Sequence, residues 1–296
     1  MIFLLHGKKF SKEIGNQIIQ FIYDLNSKKF TILSTESFYK HIHKILPEHN
    51  NKIIRPISNI DNIKHIDYLI CFGGDGTILN AATIVKDKDI PIVGINTGRL
   101  GFLATISKHK LSTLIESLIT KKYRLSKRAL LYIDSTNIDL ETPFALNEIS
   151  VSSKENTSMI NIKVLLNNNY LNTYWADGLI VSTPTGSTGY SLSCGGPIVM
   201  PESKNFIITP IAPHNLNVRP LVVSDDNIIK IEIIDNNTSK FLLSMDSRNQ
   251  YIKNSSCLTI KKADYKIKLV EIESINYSKT LREKLLWGLD KRNEEI

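Results

Sequence analysis

Residues 68–77, with the sequence YLICFGGDGT, decide how the amino-terminal part of the chain is interpreted. The first five residues form an apolar run of strand length, and the glycines after it let the backbone turn sharply. A helical pattern follows over Thr77–Val85, and backbone N–H groups at the start of a helix can bind phosphate. The loop is therefore either a phosphate site, formed by Gly73, Gly74, Gly76 and Thr77, or a tight turn in which Asp75 caps the helix.

Strand-length and helix-length segments alternate on both sides of this loop. The predicted strands are Ile2–Leu5, Phe30–Leu33, Tyr68–Phe72 and Ile90–Ile95. The predicted helices are Ser11–Leu25, Phe38–Leu46, Thr77–Val85 and Leu111–Ile119. This alternation predicts an α/β domain over residues 1–126, with a Rossmann-like parallel sheet covered on both faces. Ligands usually bind such sheets at the carboxyl ends of the strands.

The pattern changes after Lys127, where short β-branched and aromatic segments are separated by turn residues. The predicted strands are Leu130–Ile133, Phe144–Ser152, Met159–Leu166, Tyr170–Trp175, Leu179–Ser182, Phe206–Pro210, Ile228–Ile234, Phe241–Met245, Leu258–Ile260 and Ile267–Ile272. A run of strands without helices predicts an all-β, sandwich-like domain over residues 127–276. A helix over Lys279–Leu289 is expected in the tail, residues 277–296, which must return to the α/β domain to bury its apolar face.

Composition excludes several classes of protein. The chain has 296 residues, 42% of them hydrophobic and 22% charged, which is ordinary for a globular protein. The net charge of +8 comes from scattered lysines, and too few aromatic residues lie among them for a nucleic-acid stacking surface. Three distant cysteines support neither disulfides nor zinc. No apolar run approaches the ~18 residues of a membrane span, so we expect a cytoplasmic protein with no membrane or nucleic-acid partner.

Residues 177–197, with the sequence DGLIVSTPTGSTGYSLSCGGP, form the longest polar motif. Small side chains there expose backbone amides, and the hydroxyl groups can bind ribose, phosphate or an adenine edge. The alternative is a solvated connection, but connections of this length without secondary structure are usually functional. Asp177, at the start of the motif, is either a turn residue or an acceptor for an amino group.

Asn147 and Glu148 interrupt an apolar segment that runs from Phe144 to Val151. An amide and a carboxylate at such a place either face solvent or bind ribose hydroxyl groups. The residues by themselves favour the alternative in which both side chains face solvent.

These motifs together resemble those of the bacterial NAD kinases. The resemblance includes residues 73–77, 147–148 and 177–197, and further residues 94–103, 211–214 and 219–221. It implies the two predicted domains with the substrate in the cleft between them, and a homodimer or homotetramer. It also implies transfer of the terminal phosphoryl group of ATP, or of polyphosphate, to the 2′-hydroxyl of the adenosine ribose of NAD. Mg²⁺ or another divalent cation would accompany ATP, with no metal-binding side chains predicted.

The resemblance also implies roles for individual residues. Asp75 matches the general base, and Gly76 its neighbour at the dinucleotide. Asn147 and Glu148 match a pair that binds NAD ribose, and Asp177 matches an acid that contacts the dinucleotide. The NAD-contacting turn and a pocket-lining position match Thr188, Gly189, Tyr190, Ser191, Leu192, Ser193 and Ala212.

The chain departs from the family pattern at three positions that we include in the predicted NAD site. Gly189 replaces the usual alanine, and restoring alanine there is expected to be tolerated and to keep or tighten NAD binding. Trp175 stands where relatives often carry arginine. Arg248 lies near a position that is often Gln or Asn.

Two rival functions remain open at this point. A diacylglycerol-type lipid kinase would share the GGDG loop but would leave residues 177–197 unexplained. A non-catalytic NAD-binding regulator would have no need for Asp75 beside polyanionic phosphates.

Overall fold

A computed structural model describes residues 1–45, 52–98, 101–135, 138–153, 159–234, 240–253, 257–272 and 277–287. The chain divides into two compact units. An α/β unit comprises Met1–Lys127 and Ile267–Ile296, and a β-rich unit comprises Arg128–Lys266. Two predicted helices end at Leu46 and Leu289, which lie outside the described residues. Leu100, in the motif at residues 94–103, also lies outside them.

The helices and strands are numbered in chain order. The strands are β1 (Ile2–Gly7), β2 (Thr31–Thr35), β3 (Ile54–Ile57), β4 (Tyr68–Gly73), β5 (Ile92–Asn96), β6 (Ile106–Ser107), β7 (Arg124–Arg128), β8 (Leu131–Ser135), β9 (Phe144–Ala145), β10 (Glu148–Ser153), β11 (Ile160–Leu166), β12 (Asn169–Ala176), β13 (Gly178–Ser182), β14 (Asn205–Ile211), β15 (Leu221–Ser224), β16 (Ile229–Ile233), β17 (Lys240–Met245), β18 (Arg248–Lys253), β19 (Cys257–Lys262) and β20 (Ile267–Glu271). The helices are α1 (Lys12–Ser27), α2 (Glu36–His43), α3 (Asp75–Val85), α4 (Leu111–Ile119), α5 (Tyr190–Ser193) and α6 (Tyr277–Leu285).

The sheet of the α/β unit has the strand order β3-β2-β1-β4-β5-β20-β7, with β6 paired to β5. The pairs from β3 to β20 are parallel, as predicted. Every residue of β4 is buried, because helices cover both faces of a parallel sheet. The strand order reverses at β1, since β2 and β3 lie on one side of it and β4 on the other. The carboxyl ends of β1 and β4 therefore form a topological switch point, where α/β proteins bind ligands.

Strand β20 corrects the sequence-based assignment of Ile267–Ile272 to the β-rich segment. It pairs in parallel with β5, through Leu269 and Ile92, and lies between β5 and β7 in the α/β sheet. An apolar strand shows the same local pattern in either domain, so its partner could not be read from the sequence. Strand β7 was missed because it is rich in charge. One of its charges, Arg124, forms a 2.7 Å ion pair with the buried Glu271.

The terminal helix α6 belongs to the same unit. The ring of Tyr277, at its first residue, contacts that of Phe102 with a centroid separation of 6.3 Å. The helix ends at Leu285, four residues before the predicted end, where Leu286 adopts a left-handed φ of 57°. No helix among the described residues is long and apolar enough to cross a membrane.

The β-rich unit contains two antiparallel six-stranded sheets. Their orders are β15-β14-β13-β10-β17-β18 and β12-β11-β16-β19-β8-β9. Alternate residues of both sheets, such as Val151 of β10 and Ile162 of β11, form one hydrophobic cluster, so the predicted sandwich is confirmed. The strand predicted over Phe144–Ser152 is two strands, because the chain passes from one sheet to the other between β9 and β10. Asn147 lies at this corner.

Candidate active site

The glycine loop at the end of β4 is held in a tight turn. A Cβ on Gly73 would overlap the side chain of Thr77, and the Thr77 N–H donates to the Gly74 carbonyl at 2.9 Å. Gly74 occupies the N-cap position of α3 without a side-chain cap, and Asp75 is the first residue of the helix. The alternative in which Asp75 caps its own helix is therefore wrong.

The Asp75 carboxylate is instead bound by the backbone of another segment. Its Oδ2 accepts the N–H of Phe102 at 2.8 Å, and its Oδ1 accepts those of Leu103 and Ala104 at 2.9 and 3.0 Å. A Cβ on Gly101 would overlap this carboxylate, so glycine is needed there for the contact to form. Because a carboxylate oxygen has two lone pairs, Oδ2 keeps one that these bonds do not use.

Asn96, the last residue of β5, forms hydrogen bonds with both ends of the segment that contains these donors. Its amide nitrogen donates to the Ala104 carbonyl at 3.3 Å, and its Oδ1 accepts the Gly98 N–H at 2.8 Å. The carboxyl ends of β4 and β5 thus fix the segment that carries the donors to Asp75.

A cation lies beside the glycine loop at the switch point. The Lys8 ammonium, which follows β1, is 3.7 Å from the position that a Cβ on Gly76 would occupy. His6 lies just before it, buried, with Nδ1 3.1 Å from the Thr35 hydroxyl. Burial lowers the pKa of His6 to about 4, although a hydrogen bond to Asn80 opposes this, and Lys8 lowers it further. His6 is therefore neutral near pH 7. Lys8 is not among the predicted site residues, because the predicted first strand ends at Leu5, whereas the observed strand continues to Gly7 and places Lys8 directly after it.

In the β-rich unit, the corner at residues 146–148 packs against the long polar motif. The Thr183 hydroxyl donates to the Leu146 carbonyl at 2.6 Å, and the Thr183 N–H donates to the Asn147 carbonyl at 2.9 Å. A Cβ on Gly186 would overlap the Asn147 backbone. The Ser/Thr/Gly composition of the motif thus has a structural reason, since small residues allow this close approach.

Asn147 and Glu148 each present a buried oxygen without a partner among the described residues, Oδ1 and Oε2 respectively. Buried polar atoms are nearly always hydrogen-bonded, so an unpaired pair at one corner indicates a ligand site. Burial raises the pKa of Glu148 to about 7, and the nearby Asp246 charge adds to this, while a hydrogen bond from the Tyr190 backbone lowers it. A Cβ on Gly189 would lie 2.7 Å from Glu148 Oε2. Residues 147, 148, 189 and 190, all predicted to bind NAD, are therefore adjacent in the structure.

The rest of the predicted NAD-contacting turn is divided between exposed and internal side chains. Thr185–Thr188 form a 3₁₀ turn, and α5 follows Gly189. Tyr190 is 45% exposed, and Ser193 is also exposed. Ser191 is buried with its hydroxyl 2.8 Å from that of Thr209. Thr188 donates to the Thr185 carbonyl at 3.3 Å, and Leu192 is half-buried. The Tyr190 ring and the Ser193 hydroxyl are thus the groups free to meet a ligand, whereas the Ser191 hydroxyl has an internal partner.

Trp175, Asp177 and Ala212 lie where β12, β13 and β14 begin or end. The Trp175 ring is 43% exposed and packs on His214 with a centroid separation of 4.1 Å. Asp177 is exposed and close enough to Tyr190 to raise the pKa of that phenol, although burial is the larger cause and Cys194 contributes more. Ala212 is exposed and has a left-handed φ of 44°.

Arg248 faces the chain and not an open surface. Its guanidinium donates to the carbonyls of Thr142 and Phe144 and to the Thr142 hydroxyl. It also lies 5.4 Å from the centre of the Phe144 ring and 3.7 Å from Asp246. The observed contacts give Arg248 a structural role, and its contact with NAD stays a prediction.

Asp246, which is not among the predicted site residues, lies in the turn between β17 and β18. Its carboxylate accepts the backbone N–H groups of Leu146, Asn147 and Glu148 at 2.9, 2.7 and 3.2 Å. The contact joins residues about 100 positions apart, so no local pattern marks it.

A glycine loop with a fixed carboxylate lies at a switch point, in one chain with a β-sandwich that presents two unpaired buried oxygens. This combination is typical of a nucleotide-dependent phosphotransferase. Models of the ATP-NAD kinase N-terminal and C-terminal domains match residues 2–123 and 146–272. The NAD kinase of Cytophaga hutchinsonii is 46% identical over 99% of this chain and 100% of its own length. That of Flavobacterium johnsoniae is 49% identical over 90% and 92%. The chain belongs to the NAD kinase family, whose members are phosphotransferases with an alcohol acceptor.

Solved structures agree on the fold. Yeast NADH kinase complexed with NADH superposes with a TM-score of 0.88 at 21% identity, over 98% of this chain and 88% of that one. An NAD kinase from Archaeoglobus fulgidus in complex with ATP gives 0.75 at 23% identity, over 97% and 99%. The resemblance found in the sequence and the predicted fold class are confirmed, and the lipid-kinase alternative is set aside.

Proposed function

We propose that the protein transfers the terminal phosphoryl group of ATP to the 2′-hydroxyl of the adenosine ribose of NAD, which gives NADP. The observation that carries the proposal is the Asp75 carboxylate, held by three backbone amides beside an open glycine loop. A loop that only bound a dinucleotide would not need a negative charge fixed next to phosphates.

The glycine loop and the start of α3 would bind the ATP phosphates. Apart from its neighbours in the chain, no described residue lies within 4 Å of the position that a Cβ on Gly74 would occupy, so a phosphate can approach the backbone there. The N-terminus of α3 carries partial positive charge. The Lys8 ammonium supplies a full charge at the same place. Gly73 and Thr77 maintain the turn.

Asp75 would act as the general base. The 2′-oxygen forms a bond to the terminal phosphorus of ATP while the bond from that phosphorus to the ADP oxygen breaks. The hydroxyl proton passes to Asp75 Oδ2, which keeps an unused lone pair. Phosphoryl transfer depends mainly on positioning and charge neutralisation, and the amides from residues 102–104 fix the base without further reorganisation.

The buried oxygens of Asn147 and Glu148 would bind ribose hydroxyl groups of NAD. A hydroxyl both donates and accepts, so it can pair with an amide oxygen and with a carboxyl group in either protonation state. Tyr190 would stack on a ring, Asp177 would accept an amino group, and the other predicted contacts are Gly76, Trp175, Thr188, Gly189, Ser191, Leu192, Ser193, Ala212 and Arg248.

A divalent cation would enter with ATP as part of the substrate. Among the described residues, no group of three or more His, Cys, Asp or Glu side chains is arranged to hold a metal ion. Mg²⁺ would neutralise charge on the phosphates that the glycine loop and Lys8 also contact. The homodimeric or homotetrameric state and the cytoplasmic location stay predictions.

The test is an assay of the purified protein with ATP, Mg²⁺ and NAD, in which an NADP-specific dehydrogenase detects the product. NADP should form only when all three are present. Separate arms replace ATP by polyphosphate and NAD by NADH, and so define the range of donor and acceptor. Tight NAD binding measured by calorimetry, without any NADP, would instead support the non-catalytic regulator.

A further inference from the structure

Asp246 and the Asn147-Glu148 corner are bound to each other in both directions. The carboxylate of Asp246 accepts three consecutive backbone N–H groups, those of residues 146–148. In return the Asp246 N–H donates to the Glu148 carbonyl at 2.9 Å. The Asp246 side chain is 3% exposed, and its backbone has a left-handed φ of 54°. These contacts fix both the position and the direction of the corner.

The corner needs such an anchor because the chain leaves one sheet there and joins the other. Residues 146 and 147 lie between β9 and β10, so no strand partner takes their N–H groups. Without the carboxylate, donors at three consecutive positions would lose their acceptor in a largely buried place. Unpaired buried donors are costly, so the corner would rearrange and the two unpaired oxygens would move with it.

The charges around this corner are few. Within the part of the chain that the structure describes, the titratable groups that face Glu148 are Asp246 and the Tyr190 phenol. Arg248 faces Asp246 at 3.7 Å from its Oδ2, and its guanidinium is otherwise bound to Thr142 and Phe144. Asp246 therefore acts on Glu148 through its charge as well as through the backbone.

We infer that Asp246 is a positioning residue of the NAD site, which holds the Asn147-Glu148 corner so that both unpaired oxygens point at the ribose. This inference rests on the proposed function, because it takes NAD as the ligand of those oxygens. In this role Asp246 would contact the corner and neither substrate.

The test compares Asp246→Asn with wild type in steady-state kinetics. The substitution replaces one of the two carboxylate oxygens by an amino group, which then faces at least one corner N–H group, and removes the charge. The KM for NAD should therefore rise on the order of tenfold or more. The KM for ATP should stay within about twofold. Asp225→Asn is the matched control, since Asp225 is a buried carboxylate of the same unit that pairs with Lys262 at 2.8 Å. It should leave both KM values near those of wild type.

A second readout separates positioning from a general loss of structure. Carbon-13 labelled glutamate carboxyl groups are titrated by NMR in wild type and in Asp246→Asn, with Glu148→Gln to identify the signal. Wild-type Glu148 should titrate near pH 7, and its pKa should fall in Asp246→Asn because a neighbouring negative charge is gone. Burial remains, so the pKa should not return fully to the ordinary value.

Each outcome decides the inference. A raised KM for NAD together with a lower pKa of Glu148 supports it. An unchanged KM for NAD in a folded Asp246→Asn protein overturns it, even if wild type makes NADP. If wild type makes no NADP, the proposed function fails, and calorimetric NAD binding with the NMR titration still tests Asp246. If Asp246→Asn does not fold, the same kinetics are measured on Asp246→Glu, which keeps the charge but displaces the carboxylate, and an unchanged KM for NAD in that variant overturns the inference.

Discussion

Replacing Asp75 by asparagine separates a catalytic role from a structural one only if its cost in stability is known. In Asp75→Asn the new amide oxygen can still accept the N–H groups of Leu103 and Ala104, but the new amino group would face the N–H of Phe102. One charge-assisted hydrogen bond is lost and two become neutral. The free energy of unfolding should therefore fall by about 2–4 kcal/mol, and the melting temperature by roughly 5–15 °C.

Loss of the base should have a much larger effect on turnover. A positioned general base contributes ~10²–10⁴-fold, so kcat of Asp75→Asn should fall by that factor when it is measured well below the melting temperature. The KM for NAD should change less, since Asn147 and Glu148 are intact. The assay is NADP formation at saturating ATP and NAD, with melting followed by circular dichroism.

Asp67 provides a matched control at the opposite end of β4. Its carboxylate also accepts a backbone amide, the Ile2 N–H at 2.6 Å, but it lies away from the glycine loop. Asp67→Asn should cost about 1–3 kcal/mol of stability and leave kcat nearly unchanged. A folded Asp75→Asn protein with kcat within about fivefold of wild type would refute the general-base role. So would an equal loss of kcat in Asp67→Asn, because activity would then follow stability alone.

Further substitutions test the neighbouring groups. Lys8→Gln should raise the KM for ATP by about 5–20-fold in low salt and by less in high salt, whereas Lys9→Gln should not; equal values would remove Lys8 from the phosphate site. Gly189→Ala should weaken NAD binding by roughly 2–10-fold, because the new Cβ would lie 2.7 Å from Glu148 Oε2 and displace that oxygen. The sequence alone predicts that Gly189→Ala keeps or tightens NAD binding, and a measured increase in NAD affinity would support that earlier prediction. Trp175→Arg should make NAD affinity more dependent on salt, and identical slopes in calorimetry would contradict this. Glu148→Gln should raise the free energy of unfolding at pH 8 by on the order of 2 kcal/mol but leave it unchanged at pH 4. The pKa of Glu148 is raised to about 7 in the folded protein, so its ionisation costs stability as the pH rises from the pKa of the unfolded chain through that of the folded one. Denaturant titration at both pH values measures the difference.

The parts of the molecule that the sequence predicted well are those set by local pattern. The unit formed by β4, the glycine loop and α3 follows from an apolar run, glycines and helical spacing within twenty residues. Helix α4 has the predicted bounds, Leu111–Ile119. These elements depend on contacts between neighbours in the chain, which periodicity reports directly.

The parts that the sequence could not supply depend on long-range contacts. The donors to Asp75 lie 27 to 29 residues further along the chain, and Asp246 acts on residues 98 to 100 positions away. The break between β9 and β10 likewise depends on a change of sheet. A single sequence contains no record of such pairings, so the resemblance supplied Asn147 and Glu148 but not the carboxylate that holds them.

The place of β20 has a consequence for how the chain folds during synthesis. The β-rich unit is continuous in sequence, residues 128–266, and can form as soon as it has left the ribosome. The α/β unit cannot, because β20 lies inside its sheet between β5 and β7 and is the last of its strands to be made. Until then the first part of that edge of β5, around Ile92, is open, because β6 pairs only with Ile95 and Asn96. Open strand edges invite pairing with other chains. Domains usually fold in order from the amino terminus, whereas here the second unit should complete before the first.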